Sequence, residues 1–176
     1  MKRKDIKQSM RRYFFQYPTS KLRVREIERT LKLPLPSVIR YCKELEKDDI
    51  LTIVNIGNVT FYTASKSEAY LLEKRLYNIK QLYTSGLISY LKIELSNPAI
   101  VLFGSYAKGE DTENSDIDLY LETPSKKQAN IEKFKRILRR EIQIFHYKNL
   151  KEITNRHLAN NIVNGITLNN YIEVFT

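Results

Sequence analysis

The chain has 176 residues, 42% hydrophobic and 28% charged, a balance that fits one ordinary folded domain or two small ones and excludes a disordered chain. Its net charge is +10, and +7 of that lies in the first 65 residues, which points to a polyanionic partner for that part. No apolar run approaches 18 residues and the basic start, Met1 to Asp5, leads into no apolar core, so a membrane span and a secretory signal are not expected.

Residues 4–17 carry Ile6, Met10, Tyr13, Phe14 and Tyr17 at helical spacing. Pro18 ends that helix, and residues 22–24 read as a short strand. Residues 25–31 form a second helix with Ile27 and Leu31 on one side. Pro34 and Pro36 force a turn, and Pro36 suits the first turn of a third helix that runs to about Lys47. Its buried stripe is Val38, Cys42 and Leu45. The opposite face presents Ser37, Arg40, Lys43, Glu44 and Lys47. Cys42 is the single cysteine, so no internal disulfide forms, and the chain fits a reducing cytoplasm. Residues 50–54 and 59–62, rich in β-branched and aromatic side chains, read as a hairpin.

Three helices followed by a hairpin, over about residues 4–64, resemble a winged helix-turn-helix domain. The resemblance implies DNA binding through the third helix, with Ser37, Arg40, Lys43 and Lys47 as contact residues and the hairpin as the wing. The match rests on the order of elements rather than on a fixed motif.

Residues 65–83 then form a helix with Ser65 and Ser67 as candidate N-caps. Its apolar side, with Tyr70, Leu71, Leu72, Leu76, Ile79 and Leu82, is a candidate homodimer surface or packs on the sheet. Ser85-Gly86 breaks it, residues 87–95 continue as helix, and Asn97-Pro98 stops that. The expected division is 1–65 for the first domain, 66–85 for a linker helix and 86–176 for the second domain.

Residues 99–103 are five apolar residues in a row, a buried strand, and Gly104-Ser105 breaks it. A second strand starts at Ile117 and brings Asp116 and Asp118 to one face, roughly 6–7 Å apart at their Cα atoms. Two adjacent anions stay ionised when a cation joins them, and carboxylate plus phosphate oxygens are what Mg²⁺ prefers. Gly104 permits close backbone approach, and the Ser105 hydroxyl suits a phosphate.

Gly-Ser, ten residues, then Asp-Ile-Asp resembles the signature of the polymerase-β-like nucleotidyltransferases, above all their minimal branch. Gly109 and Ser115 also stand where that family has them, and the resemblance covers about residues 86–170. It implies a small domain with a mixed sheet and flanking helices, α/β in the α+β sense. It further implies that Gly104, Ser105 and Lys108 hold a nucleoside triphosphate, here ATP in the first instance. Asp116 and Asp118 would be the catalytic pair, holding two Mg²⁺ ions.

Residues 125–138 read as the next helix, 142–145 as a third strand and 148–163 as mostly helical, with Asn164-Gly165 as its end. In the family the third strand supplies a third carboxylate. Here Gln143 stands at that position, and amide is a poor Mg²⁺ ligand that takes up no proton. Glu141, two residues earlier, is a further metal-ligand candidate, or a solvated strand-edge residue. Lys126 and Lys127 read as solvated, and His146 and His157 as structural or surface residues. Two functions follow. One is a nucleotidyltransferase acting on a protein, RNA or small-molecule hydroxyl. The other is a dimeric DNA-binding or antitoxin-like regulator whose second domain binds nucleotide without turnover.

Overall fold

The computed structural model describes residues 5–174. Helix α1 (Ile6–Gln16) begins where the Asp5 carboxylate accepts the Gln8 amide at 3.0 Å, and it buries Met10, Phe14 and Phe15. Helix α2 (Val24–Leu31) starts one residue earlier than its apolar spacing indicates, because the Glu26 carboxylate accepts the Arg23 amide at 2.8 Å. The short strand expected at 22–24 therefore reduces to one rung. Leu22 and Tyr62 exchange backbone hydrogen bonds of 3.0 and 2.8 Å. Helix α3 (Leu35–Lys47) has Pro36 in its first turn and buries Val38, Cys42 and Leu45, as the spacing predicts. Strands β1 (Leu51–Ile56) and β2 (Val59–Ala64) pair antiparallel from Leu51↔Ala64 to Ile56↔Val59.

Helix α4 (Glu68–Thr84) is started by Ser67, whose hydroxyl accepts the Tyr70 amide at 3.1 Å. The chain divides into two compact units inside this helix, between Lys74 and Arg75. In the first unit the Tyr70 hydroxyl donates to the Phe14 carbonyl at 2.9 Å, and Arg11 pairs with Glu73 at 2.8 Å. Those contacts tie the first turns of α4 to α1.

The second unit holds α5 (Leu87–Glu94), β3 (Ala99–Phe103), α6 (Gly104–Lys108), β4 (Ile117–Glu122), α7 (Glu132–Leu138), β5 (Ile142–Tyr147), α8 (Arg156–Val163) and β6 (Ile166–Asn169). The sheet order is β5-β4-β3-β6, with β4 and β5 parallel and the other pairs antiparallel. Strand residues alternate between two cores, as a period of two requires. Ile100, Leu102, Ile117, Leu119 and Leu121 pack with Leu82, Leu87, Leu91 and Phe134. Val101, Phe103 and Tyr120 pack on the other face with Leu150, Ile153 and Ile162. A truncation such as Leu119→Ala in so closed a core costs about 2–5 kcal/mol.

Two expected helices are shorter than their apolar spacing indicates. Residues 124–131 are irregular, and α7 begins only at Glu132. The Thr123 and Ser125 hydroxyls accept the Ser125 and Lys127 amides, and Asn130 accepts the Glu132 amide. Such local side-chain bonds compete with helix formation. Residues 148–163 hold a 3-10 turn, Leu150–Glu152, before α8. Asn155 restarts the helix by accepting the His157 and Leu158 amides at 3.0 and 3.2 Å.

Candidate active site

The site lies at one end of the sheet, where β3 ends and both β4 and β5 begin. The register places Phe103 beside Asp118, and Asp118 beside Gln143 on the parallel neighbour. Strand β3 passes directly into α6, with Gly104 at φ +73°. A Cβ built on Gly104 would run into the Asp118 carboxylate. Glycine is favoured by the left-handed backbone, and any Cβ there would oblige the Asp118 carboxylate to shift. The two halves of the motif meet in one contact.

The short helix α6 is closed by the Gly109 and Glu110 amides, which both bond to the Ser105 carbonyl. The Ser105 hydroxyl has no hydrogen-bond partner among the described residues. Lys108, in the last turn, is exposed. The loop into β4 is built by Ser115, whose hydroxyl accepts the Thr112 amide at 2.9 Å. That turn delivers Asp116, exposed, and Asp118, half-buried, two residues apart.

Burial, and after it the neighbouring Asp116 carboxylate, push the Asp118 carboxyl above its ordinary range. Neither aspartate has an ion-pair partner among the described residues. An anion pair left without a protein cation fits a site completed by a divalent metal. The chemistry of the donors agrees: two carboxylates, with room for substrate oxygens. Among the described residues no third His, Cys, Asp or Glu joins them in a metal-binding group. The Gln143 side chain, exposed, offers an amide at the neighbouring register position.

Glu141 shares an open cleft of about 460 Å³ with Asp116, but its carboxylate is held by Lys135 of α7 at 2.9 Å. The side chain is 70% exposed. The structure thus brings together Gly104, Asp116, Asp118 and Gln143, and leaves Glu141 on a lysine.

One supporting network has no signature in the sequence. Asp111, with a side chain 1% exposed, accepts from the Asn78 amide of α4 at 2.7 Å and lies 3.8 Å from the Arg140 guanidinium. Arg140 also donates to the Glu113 carbonyl at 2.8 Å. These bonds hold the loop that delivers Asp116. The residues stand 33 and 29 positions apart in the chain, so no local pattern joins them.

In the first unit, Arg40, Lys43 and Lys47 are exposed on α3, and Ser37 is half-buried beside them. Arg40 stacks on the Tyr41 ring at 4.4 Å. Glu44 is drawn off toward Lys7 of α1 at 3.1 Å, and Lys7 also pairs with Asp48 at 2.9 Å. Glu44 also lies 3.7 Å from Arg40, whereas Lys43 and Lys47 make no ion pair among the described residues.

Among the described residues no helix is long and apolar enough to cross a membrane. Residues 85–167 match the family model of the nucleotidyltransferase domain, against the 86–170 read from the motif. No curated protein and no solved structure matches the chain.

Proposed function

We propose that the second unit is a Mg²⁺-dependent nucleotidyltransferase, with ATP as the first triphosphate to test, and that the first unit is a winged helix-turn-helix domain that binds DNA. The reading places the protein in the cytoplasm. The observation that carries it is the packing of Gly104 against the Asp118 carboxylate, with Asp116 alongside. The family match over 85–167 supports the same chemistry.

In this reading the Ser105 hydroxyl, near the start of α6, and Lys108, at its end, bind the triphosphate tail. Asp116 and Asp118 face the α-phosphate end. Bound by these carboxylates and the triphosphate, Mg²⁺ would draw charge off the phosphates and orient the α-phosphorus for in-line attack. The acceptor oxygen forms its bond to the α-phosphorus while the bond to the bridging oxygen breaks and pyrophosphate leaves. Gln143 orients an acceptor hydroxyl by hydrogen bonding but takes no proton from it. The proton therefore passes to solvent.

The test is pyrophosphate release with each of the four triphosphates and Mg²⁺, in wild type and in Asp116→Asn and Asp118→Asn. Release by wild type and its loss in both variants is the expected result. Unchanged triphosphate affinity in both variants, measured by calorimetry, would overturn the metal site.

Gln143 beside Asp118 favours a second reading, in which the domain binds nucleotide without turnover and the protein acts as a dimeric DNA-binding regulator. Triphosphate binding with no pyrophosphate release from any of the four would select it. The first unit is tested separately. Charge reversal at Arg40 and Lys43 should weaken DNA binding in a gel shift and flatten its salt dependence. Equal affinity for the double reversal would mean that α3 meets something other than DNA.

A further inference from the structure

Residues 126–140 hold seven Lys/Arg and one Glu. Three of these cations are engaged in the fold. Lys135 holds Glu132 and Glu141 at 3.0 and 2.9 Å, Lys127 lies 3.8 Å from Glu94, and Arg140 clamps the 111–113 loop. Lys126, Lys133, Arg136 and Arg139 are exposed and make no ion pair among the described residues.

These cations follow a path. The cleft of about 460 Å³ that contains Asp116 is lined by Arg136 and Arg139. A second cleft of about 390 Å³ is lined by Lys133 and Tyr90, and the two clefts share Glu132 and Arg136. The path thus runs from Asp116, one of the two carboxylates, along α7 to Tyr90. Lys133 and Arg136 lie about one turn apart on α7, and Arg139 follows as its left-handed C-cap. Tyr90 is half-buried, its hydroxyl accepting the Asn130 amide at 3.1 Å, and Lys133 lies 5.1 Å from the centre of its ring. Four acids line the first cleft beside its four bases. Glu132 and Glu141 share Lys135, Glu113 is engaged within the fold, and Asp116 belongs to the metal pair.

A row of unpaired cations leading to Asp116 suits the phosphates of a single nucleic-acid strand. We infer that the acceptor is the 3′ end of a single-stranded nucleic acid laid along α7, its terminal hydroxyl at Asp116 and Asp118. The inference rests on the nucleotidyltransferase reading above, and it selects the acceptor that reading leaves open. The 3′ oxygen forms the new bond to the α-phosphorus, pyrophosphate carries away the displaced oxygen, and the hydroxyl proton goes to solvent.

The experiment uses the full chain carrying Arg40→Glu and Lys43→Glu, so that α3 does not contribute. A 5′-labelled single-stranded 12-mer, as RNA and as DNA, is titrated by fluorescence anisotropy at several salt concentrations. The further variant adds Arg136→Glu and Arg139→Glu, both at exposed positions. Triphosphate affinity is measured in parallel by calorimetry, and the 12-mer is then incubated with labelled ATP and Mg²⁺. Loss of two phosphate contacts should weaken 12-mer binding at least about tenfold and reduce the log–log salt slope by about 1.4. Triphosphate affinity should stay within about twofold, and label should enter the 12-mer in the parent chain only. Unchanged 12-mer affinity in the α7 variant overturns the inference. So does label entering a protein while the 12-mer stays unlabelled. Neither outcome touches the enzyme reading, which fails instead if the parent chain binds no triphosphate.

Discussion

Replacing Gly104 by alanine adds one methyl group at the point where the two halves of the site touch. The backbone at φ +73° disfavours any L-residue, at a cost of roughly 1–2 kcal/mol. For a chain of this length that lowers the melting temperature by about 2–8 °C. The methyl also meets the Asp118 carboxylate, which must swing aside or be displaced with its strand end. Mg²⁺ tolerates little displacement, since its ligands sit at about 2.0–2.1 Å in near-octahedral geometry. Disturbing one of two carboxylates should therefore weaken Mg²⁺-dependent triphosphate binding at least about tenfold, in the range seen when metal-site support is removed. Gly86 supplies the control. It has φ +81°, lies in the same unit, and a Cβ there meets nothing within 4 Å. Gly86→Ala carries the backbone cost alone. The assay is calorimetric titration of ATP with Mg²⁺ beside thermal unfolding followed by circular dichroism. Both variants should melt lower, and only Gly104→Ala should lose affinity. Full affinity in a folded Gly104→Ala protein, or equal loss in Gly86→Ala, would refute the reasoning.

The raised Asp118 carboxyl means that the folded protein holds this proton more readily than the unfolded chain. Its stabilising contribution is present below the unfolded pKa of about 3.9 and is lost as pH rises through the folded value. Asp118→Asn should therefore melt above wild type at pH 7, with the gap closing below about pH 4; a variant that melts lower at pH 7 would contradict this. Gln143→Asp restores a proton acceptor beside Asp118 and should raise nucleotidyl transfer at least about tenfold, while Glu141→Gln, whose carboxylate rests on Lys135, should change turnover little. A large loss in Glu141→Gln would show that this side chain leaves Lys135 for the metals. Burial, helped by Glu46, pushes the Cys42 thiol up to about 12, so a thiol-specific reagent at pH 8 should modify it only after denaturation; rapid labelling of folded protein would show that α3 opens.

What the chain encodes locally was legible without coordinates. The stripe Val38, Cys42 and Leu45, the apolar run of β3 and the spacing from Gly104 to Asp118 each arise from neighbours within a few turns or one loop. Period and turn chemistry act at that range. The lengths of the helices were less so, because hydroxyl and amide side chains at Thr123, Ser125, Asn130 and Asn155 compete with the helix for backbone donors. The rest depended on pairs far apart in sequence. The parallel register that sets Gln143 beside Asp118, expected from the family resemblance alone, is made by a crossover through α7. Asn78, Asp111 and Arg140 meet only when α4, a loop and the turn before β5 close on one another. The seven cations of 126–140 are visible in the sequence, but which of them are consumed is not. Lys135 and Arg140 find their carboxylates only in the folded unit, and that leaves Arg136 and Arg139 facing the cleft. Charge composition is a property of the chain, whereas charge compensation is a matter of distance, and distance is set by tertiary structure.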